Sequence, residues 1–182
     1  MTAIDVVVMA AGKGTRMKSS MPKVLQPLAG KAMVLHVAEA AAQLGARKSV
    51  FITGHGADQV EALLRQTHPD LPIRFARQEP QLGTGHAVMQ AMPLLGDDGV
   101  VVVLSGDVPL INPQTLRQLT QACDGHHLAL LTLLPPDPTG YGRVVRDEQG
   151  RVQAIVEQKD ASDAQKSIGE VYSGVMAAPA RL

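Results

Sequence analysis

Short apolar runs alternate with stretches of helical periodicity through the first two thirds of the chain, and this alternation restricts the fold more than any other feature. The apolar runs have the length of buried strands, and they cover Ile4–Met9, Ser49–Thr53, Ile73–Arg77 and Gly99–Ser105. The helical stretches that follow cover Met33–Leu44, Ala57–Thr67, Ala87–Met92 and Gln114–Cys123. This order predicts a three-layer α/β/α fold with a mostly parallel, Rossmann-like sheet and right-handed crossovers.

The final third of the chain has a different pattern. One more strand is predicted at Leu128–Leu134. Alternating polar and apolar residues at Val144–Asp147 and Arg151–Val156 predict a β-hairpin extension near the C-terminus. A polar segment, Ala161–Ser167, is predicted to be a loop or a short helix, and Glu170–Ala178 is the last predicted strand. No linker of low complexity divides the chain, so we expect residues 1–182 to form one domain.

The composition argues against several classes of protein. The formal net charge is zero, and the chain has only two Phe, two Tyr and no Trp. Neither property suits a surface that binds polyanions or stacks on single-stranded nucleic acid. Cys123 is the only cysteine and cannot form an internal disulfide. The N-terminus lacks the pattern of a signal peptide, and the longest apolar run, Val100–Leu104, is too short to span a bilayer. We therefore expect a cytoplasmic protein that binds neither nucleic acid nor membrane.

A glycine-rich loop, Gly12–Arg16, follows the first strand and contains two cations, with Lys23 shortly after it. Exposed backbone N–H groups in such a loop form a concave anion site, which nearby cations complete. The loop therefore predicts binding of a nucleotide triphosphate tail. It lacks the Walker A pattern, and Met17 replaces the third glycine of a dinucleotide fingerprint. An ordinary strand-to-helix loop with solvated charges is the alternative.

Polar residues also follow the other strands, at the edge of a parallel sheet where ligands bind. Asp107 comes directly after an apolar strand, and a carboxylate there is suited to Mg²⁺, although a turn or a helix cap would also use it. A second polar cluster could read a base edge, because Gln offers both a donor and an acceptor. A polar loop with a helix cap explains that cluster nearly as well. Its members are Gln78, Gln81, Gly83 and Thr84.

The sequence lacks the other common catalytic patterns. Its six histidines do not have the spacing of a zinc site, and most of them are expected at the surface or in caps. There is no Gly-x-Ser-x-Gly nucleophile elbow. Cys123 lies on an apolar helical face and is expected to pack rather than to react.

Several strings of residues together resemble the sugar-nucleotide pyrophosphorylases. The first loop, with Pro22-Lys23 after it, is shared by many nucleotidyltransferases. Four more specific strings are Gln81–Ala87, Gly106–Leu110, Asp137–Arg143 and Ile155–Ala161. Along essentially the whole chain they resemble the N-terminal uridyltransferase domain of bifunctional bacterial N-acetylglucosamine-1-phosphate uridyltransferase/glucosamine-1-phosphate acetyltransferase. The resemblance implies a fold of the nucleotide-diphospho-sugar transferase type.

The resemblance also implies a reaction and a set of site residues. Mg²⁺-dependent transfer of UMP from UTP to N-acetylglucosamine 1-phosphate would give UDP-N-acetylglucosamine and pyrophosphate, for cell-wall and lipopolysaccharide precursors. Implied catalytic residues are Arg16, Lys23 and Asp107, with Asp107 also holding the metal. Implied nucleotide-binding residues are Met9, Ala10, Ala11, Gly12, Lys13, Gly14, Lys23, Gln78, Gly83, Thr84, Ser105 and Gly106. Implied sugar-binding residues are Gly142, Glu157 and Tyr172.

Two departures from the family pattern bear on activity. Tyr172 stands where the family commonly has an asparagine that faces the sugar. The chain ends at Leu182, whereas the family continues with an asparagine that shares the metal and then with a left-handed β-helix for acetyl transfer and trimerisation. We therefore expect a uridyltransferase domain that is incomplete at its C-terminus, with no acetyltransferase activity. A homo-oligomer stays open, since the family's trimer contacts lie mostly in that later region.

Two other functions also stay open. A guanylyl- or cytidylyltransferase would share the first loop but should lack Leu82–Ala87 and Thr139–Arg143 as they occur here. A nucleotide-binding fragment without full catalysis would bind UTP and turn none of it over.

Overall fold

The computed structural model describes residues 2–12, 14, 17, 19 and 21–181, and the chain divides into two compact units, Met1–Ala129 with Met176–Leu182, and Leu130–Val175. The strands are β1 (Ile4–Met9), β2 (Pro27–Leu28), β3 (Lys31–Ala32), β4 (Lys48–Thr53), β5 (Ile73–Arg77), β6 (Val100–Ser105), β7 (Ala129–Leu133), β8 (Arg143–Arg146), β9 (Val152–Val156) and β10 (Val171–Pro179). The helices are α1 (Met33–Leu44), α2 (Ala57–Thr67), α3 (Thr84–Ala91), α4 (Pro113–Ala122) and α5 (Asp163–Lys166), with 3₁₀ turns at Lys23–Leu25 and Met92–Leu94. None of the helices in these described ranges has the length and apolar character to cross a membrane.

The first unit is built on four parallel strands in the order β5-β4-β1-β6. Val7 of β1 lies opposite Val50 of β4 on one side and Val103 of β6 on the other. All three valines are buried, because helices cover the sheet, and α3 packs against them through Ala87 and Ala91. The predicted α/β architecture with a mostly parallel sheet is confirmed.

One antiparallel strand makes the sheet of the first unit mixed. Residues Met176–Pro179 at the end of β10 run antiparallel to β6, with Ala177 opposite Val102. An antiparallel edge on an otherwise parallel sheet is common in α/β proteins. It agrees with a sheet that is mostly, rather than wholly, parallel.

The helix ends follow the local residue types closely, with one difference. Gly45 ends α1 in the left-handed region (φ 84°), and the Asn112 side chain accepts a hydrogen bond from the Gln114 N–H at the start of α4 (2.8 Å). α3 begins at Thr84, three residues before its predicted start at Ala87. The Ala87 N–H donates to the Gly83 carbonyl oxygen (3.1 Å), which closes the first helical turn over Thr84–His86.

The second unit contains the predicted hairpin extension. β8 and β9 pair antiparallel, with Val144 opposite Ile155, and the register shifts between Val145 and Arg146. The first part of β10 pairs with β8 through Val171. α5 carries a capping box, in which Ser162 and Gln165 satisfy each other's backbone N–H groups.

Candidate functional site

The carboxyl ends of the parallel strands surround a cavity of about 370 Å³ in the first unit. Open α/β sheets bind ligands at this edge. The turn at Lys23–Leu25 and the start of α3 complete the cavity. Its walls consist of Met9, Ala11, Gly12, Lys23, Val24, Gln78, Gln81, Gly83, Thr84, Ala87, Ser105 and Asp107.

Two predicted nucleotide-binding residues, Ala10 and Gly106, join the strand ends behind this wall. The Ala10 N–H donates to the Ile52 carbonyl oxygen (2.8 Å), and the Gly106 N–H donates to the Met9 carbonyl oxygen (2.9 Å). A Cβ atom on Gly106 would lie 3.1 Å from that Met9 oxygen and 3.2 Å from a methyl group of Val24. Glycine therefore lets the end of β6 run close beside the end of β1.

The loop after β1 folds against Lys23 at Gly14. Gly14 has a φ of 59°, and a Cβ atom there would lie 2.7 Å from Cβ of Lys23. Both the positive φ and the close approach require glycine. Lys13 and Arg16 of the same loop lie outside the described residues, so their predicted phosphate-binding and catalytic roles stay predictions.

Lys23 and Asp107, two of the predicted catalytic residues, form an ion pair at the cavity. The Lys23 ammonium donates to one carboxylate oxygen of Asp107, and the Ser105 hydroxyl donates to the other (2.5 Å). Burial raises the pKa of Asp107, but the hydrogen bonds from Lys23 and Ser105 outweigh burial and hold that pKa below its usual value. Asp107 is therefore ionised at neutral pH, as a metal ligand has to be.

The donor set suits Mg²⁺ when a ligand supplies the other oxygens. Mg²⁺ is usually held by one or two carboxylates together with waters and substrate phosphates. The Asp107 side chain is 25% exposed and lies in the cavity wall. The described part of the chain holds no group of three or more His, Cys, Asp or Glu that could bind a metal by itself. Waters and the phosphate oxygens of a bound ligand would complete the coordination around Asp107.

Amide side chains form another part of the wall. Gln78 is 5% exposed, and its amide nitrogen donates to the Gly83 carbonyl oxygen (2.9 Å). Gln81 donates its amide nitrogen to the Ala11 carbonyl oxygen (2.7 Å), which ties the segment after β5 to the end of β1. Both side chains are thus held by the protein's own hydrogen bonds.

The three predicted sugar-binding residues lie together in the second unit. The Tyr172 N–H donates to the Gly142 carbonyl oxygen (2.9 Å), and a Cβ atom on Gly142 would lie 3.6 Å from a carboxylate oxygen of Glu157. Burial raises the pKa of Tyr172, so its phenol stays a hydrogen-bond donor at neutral pH. The adjacent Arg143 is 1% exposed and donates to the Gln158 side-chain oxygen (2.8 Å), which fixes the turn before β8.

A comparison with protein families decides the assignment. The MobA-like NTP transferase domain matches residues 6–165 of the chain. The chain belongs to this NTP transferase family. The assignment agrees with the cavity, which lies at the end of β1 and carries a cation and a carboxylate.

Relatives of this NTP transferase domain share most of its sequence. The "Bifunctional protein GlmU" of a Polaromonas species is 59% identical over 195 residues, which cover 100% of this chain and 41% of that protein. The protein of the same name from an Acidovorax species is 60% identical over 184 residues, which cover 100% of this chain and 39% of that protein. The chain therefore spans about 40% of the length of the relatives it matches. These matches confirm the resemblance that the motifs indicated.

Solved structures share the fold of the NTP transferase domain at low sequence identity. A UDP-glucose pyrophosphorylase complexed with UDP-glucose matches with a TM-score of 0.79 and 19% identity, over 97% of this chain and 76% of that chain. A nucleotidyl transferase from Methanothermobacter thermautotroptrophicus matches with a TM-score of 0.66 and 22% identity, over 98% and 72%. Both likenesses support the nucleotide-diphospho-sugar transferase fold.

Sequence reasoning missed some of the residues at the site. Val24 and Ala87 form an apolar part of the cavity wall. In a single sequence, nothing marks an apolar residue as part of a binding site. The position of Ala87 could have been found, since it lies one helical turn after Gly83. His86, grouped with histidines expected at the surface or in caps, is half-buried and contacts the Gln78 amide at 3.2 Å.

We predict that Gly54→Ala lowers the free energy of unfolding by about 1–3 kcal/mol, the usual cost of overpacking. A Cβ atom there would lie 2.7 Å from the Gln81 amide nitrogen and 3.1 Å from the Ala11 carbonyl oxygen, so it would disrupt the bond between them. Urea unfolding measures the loss. Gly169→Ala is the matched control, because no atom of the described residues, apart from Gly169 and its chain neighbours, lies within 4 Å of its Cβ position. Equal stability of the two variants would contradict a tightly packed wall at Gly54.

Proposed function

We propose that the chain catalyses Mg²⁺-dependent transfer of UMP from UTP to N-acetylglucosamine 1-phosphate, which forms UDP-N-acetylglucosamine and pyrophosphate. The observation that supports this most is that one cavity combines an ion pair, Lys23 with Asp107, and the buried amide of Gln78. The ion pair can bind the phosphates and the metal, and the Gln78 amide can form hydrogen bonds with the edge of a base.

In this proposal the uridine lies against Gln78, Gly83 and Thr84, and the triphosphate lies along the loop after β1. Backbone atoms of Met9–Gly12 and of Ser105–Gly106 would line the nucleotide. Lys23 would neutralise phosphate charge, and the sequence adds Lys13 and Arg16 as further cations. A local cation cluster suits a chain whose net charge is zero.

Asp107 would hold the metal, and Ser105 would keep its carboxylate oriented. When bound, Mg²⁺ would withdraw charge from the phosphate oxygens. The ammonium of Lys23, which pairs with Asp107 in the structure, would then turn to the phosphates. The Lys23 ammonium lies next to an anion in both positions, the Asp107 carboxylate in one and the phosphates in the other. Its move from one to the other would therefore cost little electrostatic energy.

The chemical step would be an in-line displacement at the α-phosphorus. An oxygen of the sugar phosphate forms a bond to that phosphorus, and the bond from the phosphorus to the bridging oxygen of the leaving group breaks, which releases pyrophosphate. Lys23 and Arg16 would stabilise the charge that develops on the phosphoryl oxygens, so the protein acts by positioning and electrostatics. On the sugar, Gly142 would act through its backbone, while Glu157 and Tyr172 would contact hydroxyl or amide groups.

We propose that residues 1–182 act as a uridyltransferase domain, and we assign no acetyl transfer to them. The reaction would take place in the cytoplasm, where the buried thiol of Cys123 stays reduced. Its product would serve cell-wall and lipopolysaccharide precursors.

The test is turnover of the purified chain with UTP, N-acetylglucosamine 1-phosphate and Mg²⁺, followed by mass spectrometry of the products. We expect UDP-N-acetylglucosamine and pyrophosphate in equal amounts. Preference for GTP or CTP would replace this assignment with another nucleotidyltransferase. Binding of UTP with no product over a wide range of chain concentrations would reduce the function to nucleotide binding.

A further inference from the structure

The amide of Gln78 is oriented by two neighbours. Its nitrogen lies 2.9 Å from the Gly83 carbonyl oxygen and 3.2 Å from Nδ1 of His86. A carbonyl oxygen can only accept, so the Gln78 atom that faces Gly83 must be the amide nitrogen rather than the amide oxygen. That nitrogen carries two hydrogens, one for each neighbour.

This orientation determines the tautomer of His86. Because the Gln78 nitrogen donates, Nδ1 of His86 must be unprotonated, and the ring hydrogen must be on Nε2. The Gln90 amide nitrogen also lies 3.2 Å from Nε2 of His86 and 3.2 Å from the His86 carbonyl oxygen. A neutral imidazole accepts at only one nitrogen. Gln78 is buried and makes the shorter bond to its carbonyl partner, so its bond to Nδ1 is kept, and the Gln90 nitrogen donates to the His86 carbonyl oxygen rather than to Nε2.

The amide oxygen of Gln78 is then the atom left for a ligand. Among the described residues no donor is hydrogen-bonded to it, and Gln78 lies in the cavity wall. An oxygen in this position accepts from a ring N–H. Uracil has an N–H at ring position 3, whereas cytosine has a lone pair there, which would face the Gln78 oxygen without a hydrogen.

We propose that His86 is a positioning residue that sets base specificity, by holding the Gln78 amide with its oxygen toward the base. Without His86, only the bond to Gly83 opposes rotation of the amide. A rotated amide would present its NH₂ group to the base, as cytosine requires. His86 thus acts through Gln78 and does not touch the nucleotide.

The test compares the dissociation constants of UTP and CTP, measured by calorimetry in the same Mg²⁺ buffer. The two nucleotides share the triphosphate, so the ratio of their constants reports on the base alone. We expect His86→Leu to lower the preference for UTP by roughly three- to tenfold, the effect of one hydrogen bond. His86→Asn should restore most of the preference, because its side-chain oxygen can accept where Nδ1 does.

The control is Met89→Leu, on the same helix and 66% exposed, which should keep the wild-type ratio. This inference rests on the proposed uridine contact of Gln78, and the two fail in different ways. If the unmodified chain does not prefer UTP to CTP, the proposed function fails first. If it does, and His86→Leu keeps the full preference while still folded by circular dichroism, only the role of His86 is wrong. A ratio that falls equally in His86→Leu and His86→Asn would also overturn that role.

Discussion

Asp107→Asn is expected to lower kcat for uridylyl transfer by about 10³-fold, or about 4 kcal/mol of transition-state stabilisation. Asparagine keeps the shape of the side chain but removes the charge that Mg²⁺ needs, and Asp107 is the one carboxylate among the described residues of the cavity wall. Lys23 loses its ion-pair partner in the same variant. The measurement is pyrophosphate release over a range of Mg²⁺ concentrations, together with UTP binding without metal, which should change far less than kcat.

Asp70→Asn is the control for this charge change, since Asp70 is exposed and lies outside the cavity wall. It should leave the Mg²⁺ dependence as in the unmodified chain. If Asp107→Asn keeps kcat within about threefold of wild type, well below the expected loss, the assignment of Asp107 as metal ligand is wrong. A loss of UTP binding as large as the loss of kcat would instead make Asp107 a binding residue.

Asp5→Ala is expected to be the most destabilising of the proposed substitutions, with a loss of about 3 kcal/mol in the free energy of unfolding at pH 7. Asp5 lies in β1 with its side chain 2% exposed. Its oxygens accept from two nitrogens of Arg47 at 2.9 Å and from the Gly96 N–H at 2.8 Å. Alanine would leave the Gly96 N–H without this acceptor and would remove the link from β1 to the segments before β4 and β6. Urea unfolding measures the loss.

The loss of unfolding free energy in Asp5→Ala should become smaller as the pH falls. Burial raises the pKa of Asp5, but the hydrogen bonds from Arg47 and Gly96 outweigh burial, so its folded pKa lies below the unfolded value. The carboxylate therefore contributes stability above the unfolded pKa of about 3.9, and this contribution is lost as pH falls through the folded pKa. The gap between wild type and Asp5→Ala should narrow in acid. A gap that stays constant down to pH 3 or widens in acid would contradict the ionised pair. Asp70→Ala should change stability by less than about 0.5 kcal/mol.

The fold and the position of the site could be predicted because they follow from periodicity. Buried strands such as Ile4–Met9 are short apolar runs, a pattern that few other structures share. Parallel strands bring their carboxyl ends to one edge of the sheet. That rule was enough to expect Gln78 and Asp107 near each other, and both line the cavity.

The pairings of individual side chains could not be predicted. Lys23 and Asp107 are 84 residues apart, and their contact depends on how the loop after β1 returns past Gly14. The contact between Asp5 and Arg47 could not be predicted either, because in the sequence these two residues look like any charged residues at the surface. His86 belongs to the specific string Gln81–Ala87, but that string does not indicate its contact with Gln78, which comes from the end of a strand.

The most direct measurement of the central claim follows the phosphorus atoms of UTP. The purified chain is incubated with N-acetylglucosamine 1-phosphate and Mg²⁺, once with UTP labelled at the α-phosphorus and once with UTP labelled at the γ-phosphorus. Displacement at the α-phosphorus predicts that the α label appears in UDP-N-acetylglucosamine and the γ label appears in pyrophosphate. Transfer of the γ label to the sugar, or release of the α label as UMP without a sugar nucleotide, would contradict uridylyl transfer by this chain.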